Sequence, residues 1–291
     1  MELLISLAPA VQAALLHGLT QALWQGALLG LAAVATLALM ARRSAAARHF
    51  VAMAFLVAML VVPAWSFFSM LADPGGRGVA TSSTADPSHV PALTLPAIGA
   101  LASAASWSPP VWLAWAWVAG VLMMLARLAG GSWLLSVMRQ RPTIALPAPW
   151  PARVEALRQA MGIARPVRVR LMESMTLPFA SQLLRPVIWL PATMLTRLAP
   201  EQIEALIAHE LAHIHRLDWL WNGLQCAIEA LLFFHPAVWW LSGRVRQERE
   251  SACDDMAAAA CGDSILVAEA LLALEGLRCP MPRLALAATG G

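Results

Sequence analysis

Long apolar segments dominate the first half of the chain and predict membrane-spanning helices. Residues 19–40, 49–71 and 111–138 form apolar runs of about 20 residues or more, enough to cross the hydrocarbon core of a bilayer. The third run contains Arg127, whose side chain we expect to reach toward the membrane surface or to pair with a carboxylate. We therefore assign residues 1–138 to a membrane domain with three spans.

Basic residues outside the spans predict the orientation of the chain. Three arginines lie between the first two spans and three follow the third: Arg42, Arg43, Arg48, Arg139, Arg141 and Arg153. Because basic residues concentrate on the cytoplasmic side, we expect the N-terminus and the loop 73–110 outside the cell and residues 139–291 in the cytoplasm. The loop 73–110 is rich in Pro, Ser, Thr and Gly, which predicts an irregular linker.

The pattern after residue 139 is typical of an α+β domain. Alternating apolar and basic positions at 167–171 and a short apolar run at 186–191 predict strands, and helical periodicity marks residues 152–161. A further helix is predicted to begin near Pro200, a residue type favoured in the first helical turn. No Ser, Thr or Asp precedes this proline to cap the helix.

The composition supports a membrane protein and argues against other classes. Hydrophobic residues make up 59% of the 291 residues and charged residues only 13%, against about 25% charged in soluble domains. Such a chain is not disordered. The net charge of +3 is small and the basic residues do not cluster with aromatic ones, which argues against a nucleic-acid partner.

The strongest chemical signal is the HExxH motif at 209–213. His209 and His213 are four residues apart on one helix face, so both imidazoles can reach one zinc ion. Glu210 can take a proton from the zinc-bound water and act as the general base of a metalloprotease. The alternative is a degenerate, metal-free relic of such a site.

Two histidines need a third ligand, and a second predicted helix supplies a candidate. Glu250 and Asp254 are again four residues apart, and we assign Glu250 to zinc and Asp254 to orienting a ligand histidine. Two alternatives stay open: Glu250 pairs with Arg246 or Arg249 on a solvated helix, or Glu248 is the ligand.

These motifs resemble the BlaR/MecR-type membrane zinc metallopeptidases. Beside the three spans and the HExxH helix, the resemblance rests on PVIWLP at 186–191, PEQ at 200–202, FHPAVW at 234–239 and ESACD at 250–254. It implies a mainly α membrane protein of the bacterial inner membrane, with a cytoplasmic, gluzincin-like α+β metalloprotease domain. It also implies an endopeptidase that cleaves a cytoplasmic transcriptional repressor and itself once an external sensor is triggered.

The C-terminal end departs from the β-lactam sensors of that family. The sequence stops at Gly290-Gly291, without their further span and external penicillin-binding domain. We therefore expect either a truncated form or a relative without that sensor.

A fourth apolar stretch at 218–244 poses a topological problem. A single membrane crossing there would put Glu250 about 30 Å from the HExxH histidines, whereas zinc–ligand bonds are about 2 Å long. His235-Pro236 can interrupt the helix, because proline disfavours helix in the residue before it. We therefore predict a helical hairpin over 219–250 that packs on the spans or enters the membrane without crossing it.

The chemistry also needs a second group to stabilise the oxyanion and a place for the substrate. With no Tyr in the chain, the candidate donors are His215, Arg216, His235, Arg244 and Arg246. Residues 177–184 are expected to form either a plain surface loop or an edge strand that an extended substrate joins. The strand would use Phe179, Ala180, Ser181 and Gln182.

Three functions compete at this point. The first is a regulated membrane endopeptidase that cleaves a repressor, and one strict cleavage site would favour it. The second is a housekeeping protease for misfolded membrane proteins or lipidated tails, which broad cleavage would favour. The third is a non-catalytic membrane transducer, for which Glu210→Gln would have no effect; the intact HExxH motif counts against it.

Overall fold

Three long apolar helices open the computed structural model, which describes residues 9–72, 112–173, 178–181 and 186–276. They are α1 (Pro9–Leu39), α2 (Ala45–Ala72) and α3 (Trp112–Arg139). All three are long and apolar enough to cross a membrane. The first helix begins earlier than the predicted span 19–40, because residues 9–18 are uncharged and rich in helix-forming Ala and Leu. The predicted linker 73–110 lies outside the described residues.

An α+β region follows the three long helices, so the predicted fold class is confirmed. Its elements are β1 (Ile144–Ala145), α4 (Trp150–Ala160), β2 (Arg168–Met172), β3 (Phe179–Ser181), β4 (Val187–Pro191), α5 (Met194–Arg197), α6 (Pro200–Arg216), α7 (Asp218–Leu231), α8 (Pro236–Cys261) and α9 (Ser264–Gly276). The strands form one sheet in the order β1-β2-β4-β3. Strand β4 pairs parallel with β2 and antiparallel with β3, which leaves β3 at the edge of the sheet.

Helices α7 and α8 form an antiparallel helical hairpin whose turn contacts α1. The chain reverses at residues 232–235, and His235 Nδ1 accepts a hydrogen bond from the Ala237 N–H at 3.2 Å, which caps α8. His235 Nε2 lies 3.1 Å from the carbonyl oxygen of Leu23, in the middle of α1. Leu23 stands about 24 Å along the helix axis from Leu39. The turn therefore lies at the level of the spans; its depth in a bilayer stays a prediction.

Two buried clusters form the core of the described part of the chain, and α8 takes part in both. One cluster joins α1, α2, α7 and the first half of α8, which contributes Val238, Leu241 and Val245. The other joins the sheet, α4, α6, α9 and the second half of α8, which contributes Ala257. The middle of α8, between these clusters, faces α6.

Helix α6 begins without a side-chain cap on Ala199, as the sequence indicates. Gln202 takes over part of the role, since its Oε1 accepts a hydrogen bond from the Ala199 N–H at 3.1 Å. This is one half of a capping box, in which a side chain in the first turn satisfies the backbone before it.

Candidate metal centre and active site

Helix α6 presents two histidines side by side. His209 and His213 are one helical turn apart, and their Nε2 atoms lie 3.2 Å from each other. Both side chains are largely buried. Because i and i+4 side chains lie on one helix face, the spacing of the motif alone brings the two rings together.

Glu250 of α8 completes the cluster. Its Oε2 lies 3.6 Å from the Nε2 of His209 and 3.6 Å from the Nε2 of His213. Its Oε1 lies 3.6 Å from the Nε of Arg249. The Glu250 side chain is 51% exposed, so the cluster is open to solvent on this side.

The spacing of the three atoms fits a bound metal ion. Ligands that stand about 2.0–2.1 Å from a tetrahedral ion are about 3.3 Å apart. The observed separations of 3.2, 3.6 and 3.6 Å lie close to that value. The three side chains belong to a group that could hold one metal ion.

Two aspartates contact the Nδ1 atoms of the histidines, on the side away from Glu250. Asp254 Oδ1 lies 2.9 Å from His209 Nδ1, and Asp218 Oδ2 lies 2.7 Å from His213 Nδ1. A carboxylate on Nδ1 fixes the orientation of the ring and directs Nε2 outward. The structure brings Asp254 to the cluster, and it adds Asp218, which the sequence analysis missed.

Asp218 reaches His213 because α6 ends abruptly. Leu217 adopts a left-handed conformation with φ 58°, and α7 starts at the next residue. A residue with a Cβ is strained in this conformation, and such strain often marks functional sites. The signal in the sequence was an aspartate five residues after the second histidine, but the reversal that brings it back is not visible in the residue types.

Cys253 lies behind His213. Its Sγ is 3.3 Å from His213 Nδ1 and 3.3 Å from Asp218 Oδ2. These three residues form a second group that could hold a metal ion. The second group would use Nδ1 of His213, the nitrogen that contacts Asp218, whereas the group with Glu250 uses Nε2. The two groups are therefore alternatives that share the His213 ring.

Buried charges control the protonation of the cluster. Burial lowers the pKa of His209, but the carboxylates of Asp254 and Glu250 more than offset this and raise it to about 9. Burial likewise opposes the charged form of His213, and Asp218 outweighs it, so that its pKa is also raised. The two histidines in turn hold the pKa of Glu250 well below its usual range, against the effect of burial. Without a metal, the carboxylates around the cluster favour the protonated form of the histidines.

Glu210 follows His209 on α6 and is buried, with 7% of its surface exposed. Its position in the motif places it beside the first histidine of the cluster. Within the described residues, Glu210 does not belong to the group of three side chains that could hold a metal ion.

The candidate oxyanion donors are spread over the molecule. His215 is exposed on α6, and Arg216 lies behind the cluster, with its Nε 3.4 Å from Asp218 Oδ1. His235 sits in the turn before α8, and both of its ring nitrogens have backbone partners there. The structure does not bring His215 or His235 to the cluster.

The two arginines proposed from α8 have carboxylate partners of their own. Arg246 contacts Glu229 of α7 at 2.6 Å, and Arg244 contacts Glu248 at 2.7 Å. Glu248 also lies 2.7 Å from the Nε of Arg48, so its carboxylate is held between two guanidinium groups. Within the described residues, Glu248 is not part of a group that could hold a metal ion.

The proposed substrate strand is present as β3. Its residues Phe179, Ala180 and Ser181 pair with β4 at the edge of the sheet, beside α6. Gln182 lies outside the described residues.

Three membrane-length helices followed by an HExxH helix and a distant glutamate define a membrane metallopeptidase. The chain belongs to the family described as BlaR1 peptidase M56, whose model matches residues 20–284. It is similar to the regulatory protein BlaR1 of Bacillus licheniformis, with 32% identity over 77 residues. This match spans 26% of the chain and 13% of the length of that relative. The predicted BlaR/MecR-type family is confirmed.

Proposed function

We propose that this chain is a zinc metalloendopeptidase whose metal is held by His209, His213 and Glu250. The observation that carries this proposal is the triangle of two imidazole nitrogens and one carboxylate oxygen, with sides of 3.2, 3.6 and 3.6 Å. Two histidines and one glutamate are a known ligand set of catalytic zinc, which leaves a position for water or substrate.

Zinc would supply Lewis acidity at this site: when bound, it lowers the pKa of water and polarises a peptide carbonyl. Glu210 would accept the proton of the attacking water and deliver it to the leaving amine nitrogen. Asp254 and Asp218 would keep Nδ1 of each histidine protonated, so that each Nε2 carries a free lone pair.

The substrate would bind as an extended strand along β3. A peptide added to the free edge of a sheet gains backbone hydrogen bonds, and its side chains alternate between the two faces. Since β3 lies beside α6, a peptide on its free edge would run near the metal ligands.

The site would face the cytoplasm from the bacterial inner membrane. Arg48, in the first turn of α2, contacts Glu248 two residues before Glu250, so the site is level with the loop between α1 and α2. That loop also carries Arg42 and Arg43. Loops rich in arginine favour the cytoplasmic side.

A transcriptional repressor is the substrate class we propose. The cytoplasmic orientation would give access to such a protein, and the relative from Bacillus licheniformis is itself called a regulatory protein. The proposed role is therefore signal transduction by cleavage of one regulator.

Comparison of new protein N-termini in cells that produce the wild type or Glu210→Gln tests the proposal. We expect one or a few cytoplasmic termini to disappear in the variant, because the general base is lost while the metal ligands stay. Glu201→Gln, an exposed change on the same helix, is the matched control and should keep all termini. Identical termini in all three strains, with the protein activated and zinc-loaded, would overturn the proposal. Loss of many membrane-protein termini in the variant would favour a quality-control protease over a signalling protease.

A further inference from the structure

We infer that Arg48, in the membrane domain, is a positioning residue of the peptidase site. It holds Glu248 of α8 and so sets where Glu250 stands relative to His209 and His213. The inference rests on the proposed function, because it takes the triangle of these three residues to be the metal site.

The third ligand comes from a different helix than the two histidines. His209 and His213 lie on α6, and their spacing is fixed by that helix, whereas Glu250 lies on α8. The position of Glu250 therefore depends on how α8 as a whole is held. A continuous helix of 26 residues transmits a shift or rotation at one point to its neighbouring turns.

The contact between Arg48 and Glu248 is close and shielded from water. Arg48 Nε lies 2.7 Å from Glu248 Oε2, and the Glu248 side chain is only 4% exposed. Arg244, on the same helix as Glu248, contacts its other oxygen at 2.7 Å. A carboxylate buried to this extent needs its partners, since an uncompensated buried charge is strongly unfavourable. The pair therefore fixes α8 to the first turn of α2.

Two further contacts hold α8 against the spans. His49 is fully buried beside Arg48, and its Nδ1 lies 3.2 Å from the carbonyl oxygen of Val245. At the other end of this half of α8, His235 contacts the Leu23 carbonyl, and a Cβ on Gly26 would stand 2.5 Å from His235 Nε2. The first half of α8 thus contacts α1 near His235 and α2 near Val245. The Arg48–Glu248 pair is the contact with the spans that lies nearest to Glu250.

Arg48 acts on the site through α8 and does not touch the reacting groups. Residues two apart on a helix point in different directions, so Glu248 faces α2 while Glu250 faces α6. Loss of the Arg48 contact would free α8 to rotate or tilt, and Glu250 would leave its place 3.6 Å from both histidine nitrogens. A movement of α1 and α2 in the membrane would change the metal site by the same route.

Zinc and cobalt titrations of the full chain in detergent micelles test this inference. We expect Arg48→Ala to weaken zinc binding about 10- to 100-fold, the range seen when groups that support metal ligands are removed. The visible absorption of the cobalt-substituted protein should shift, because the ligand geometry changes. Arg48→Lys keeps the charge and should recover most of the affinity. Arg42→Ala removes an exposed arginine of the same loop and should match the wild type.

Wild-type zinc affinity together with an unchanged cobalt spectrum in Arg48→Ala would overturn the inference. Glu248→Gln is the second variant, for use where Arg48→Ala does not fold. Unfolding of both Arg48→Ala and Glu248→Gln at a temperature at which Arg42→Ala is folded would also contradict the inference. The Arg48–Glu248 pair would then stabilise the fold and not position the site. His209→Ala separates the two proposals: if it still binds zinc like the wild type, the proposed metal site itself is wrong.

Discussion

Asp218 Oδ2 lies 2.7 Å from the Nδ1 of His213, directly after a left-handed turn at Leu217. The contact turns the Nε2 of His213 toward His209 and Glu250. The Asp218 carboxylate is almost completely buried, with 5% of the side chain exposed. Asp218 is thus the counterpart, for the second histidine, of Asp254 for the first.

Asp218→Asn is expected to weaken metal binding about 10- to 100-fold, because the amide cannot match the carboxylate in orienting the ring. Titration with zinc against a competing chelator measures this effect. Asp255→Asn is the control, since Asp255 is exposed on α8 beside Asp254. Equal affinity in both variants would show that Asp218 does not support the site.

Zinc affinity is expected to rise with pH between about 6 and 8. The pKa of His209 is raised to about 9, and that of His213 is raised as well, so zinc must displace at least one proton. For each proton that zinc displaces, the zinc affinity rises about tenfold per pH unit as long as the pH is below the raised pKa. Glu250, whose pKa is held low, stays ionised and releases no proton. Calorimetry in buffers of different ionisation enthalpy counts the protons released. An affinity that does not change over this range would contradict the proposed ligands.

Glu210→Gln is expected to keep the metal and lose the chemistry. The amide cannot accept a proton, and loss of general base catalysis costs about 10²- to 10⁴-fold in rate. Zinc content should stay at the wild-type level, because Glu210 is not in the triangle. Comparison of new protein N-termini in cells shows the loss of cleavage, and metal analysis of the purified full chain shows the zinc content. Glu201→Gln should behave like the wild type, and loss of zinc in Glu210→Gln would assign this residue to the metal.

Gly120→Ala is expected to destabilise the membrane domain by about 1–3 kcal/mol. A Cβ at this position of α3 would overlap the ring of Phe233, in the turn between α7 and α8. Gly130→Ala, on the same helix, places the new Cβ more than 4 Å from the described neighbours and should be neutral or slightly stabilising. Thermal unfolding in micelles compares the two variants. The same unfolding temperature for both would mean that α3 does not contact the turn in solution.

The sequence predicted the parts of the site that depend on local spacing. His209 and His213 needed only the helical repeat, and the three spans needed only the length of the apolar runs. Glu250 was assigned from the need for a third ligand and from its one-turn spacing to Asp254. Because it lies 37 residues beyond His213 in the chain, the residues themselves left Glu248 open as the alternative. Asp254 followed from the same one-turn spacing on α8.

Contacts between distant segments were not predictable. Asp218 needed a left-handed Leu217, which residue preferences argue against. The pair Arg48–Glu248 joins residues 200 positions apart, and a charged residue near a span carries no signal about its partner. His235, Arg244 and Arg246 were proposed as oxyanion donors on residue type alone, whereas the structure gives each of them a partner elsewhere.

X-ray absorption at the zinc edge of the purified full chain reports which atoms bind the metal. We expect two imidazole nitrogens and carboxylate oxygen at about 2.0–2.2 Å and no sulfur. This signal should be lost in His209→Ala and Glu250→Ala. A sulfur neighbour at about 2.3 Å would contradict the proposed ligands. It would place the metal between His213, Asp218 and Cys253, the second group that could hold one.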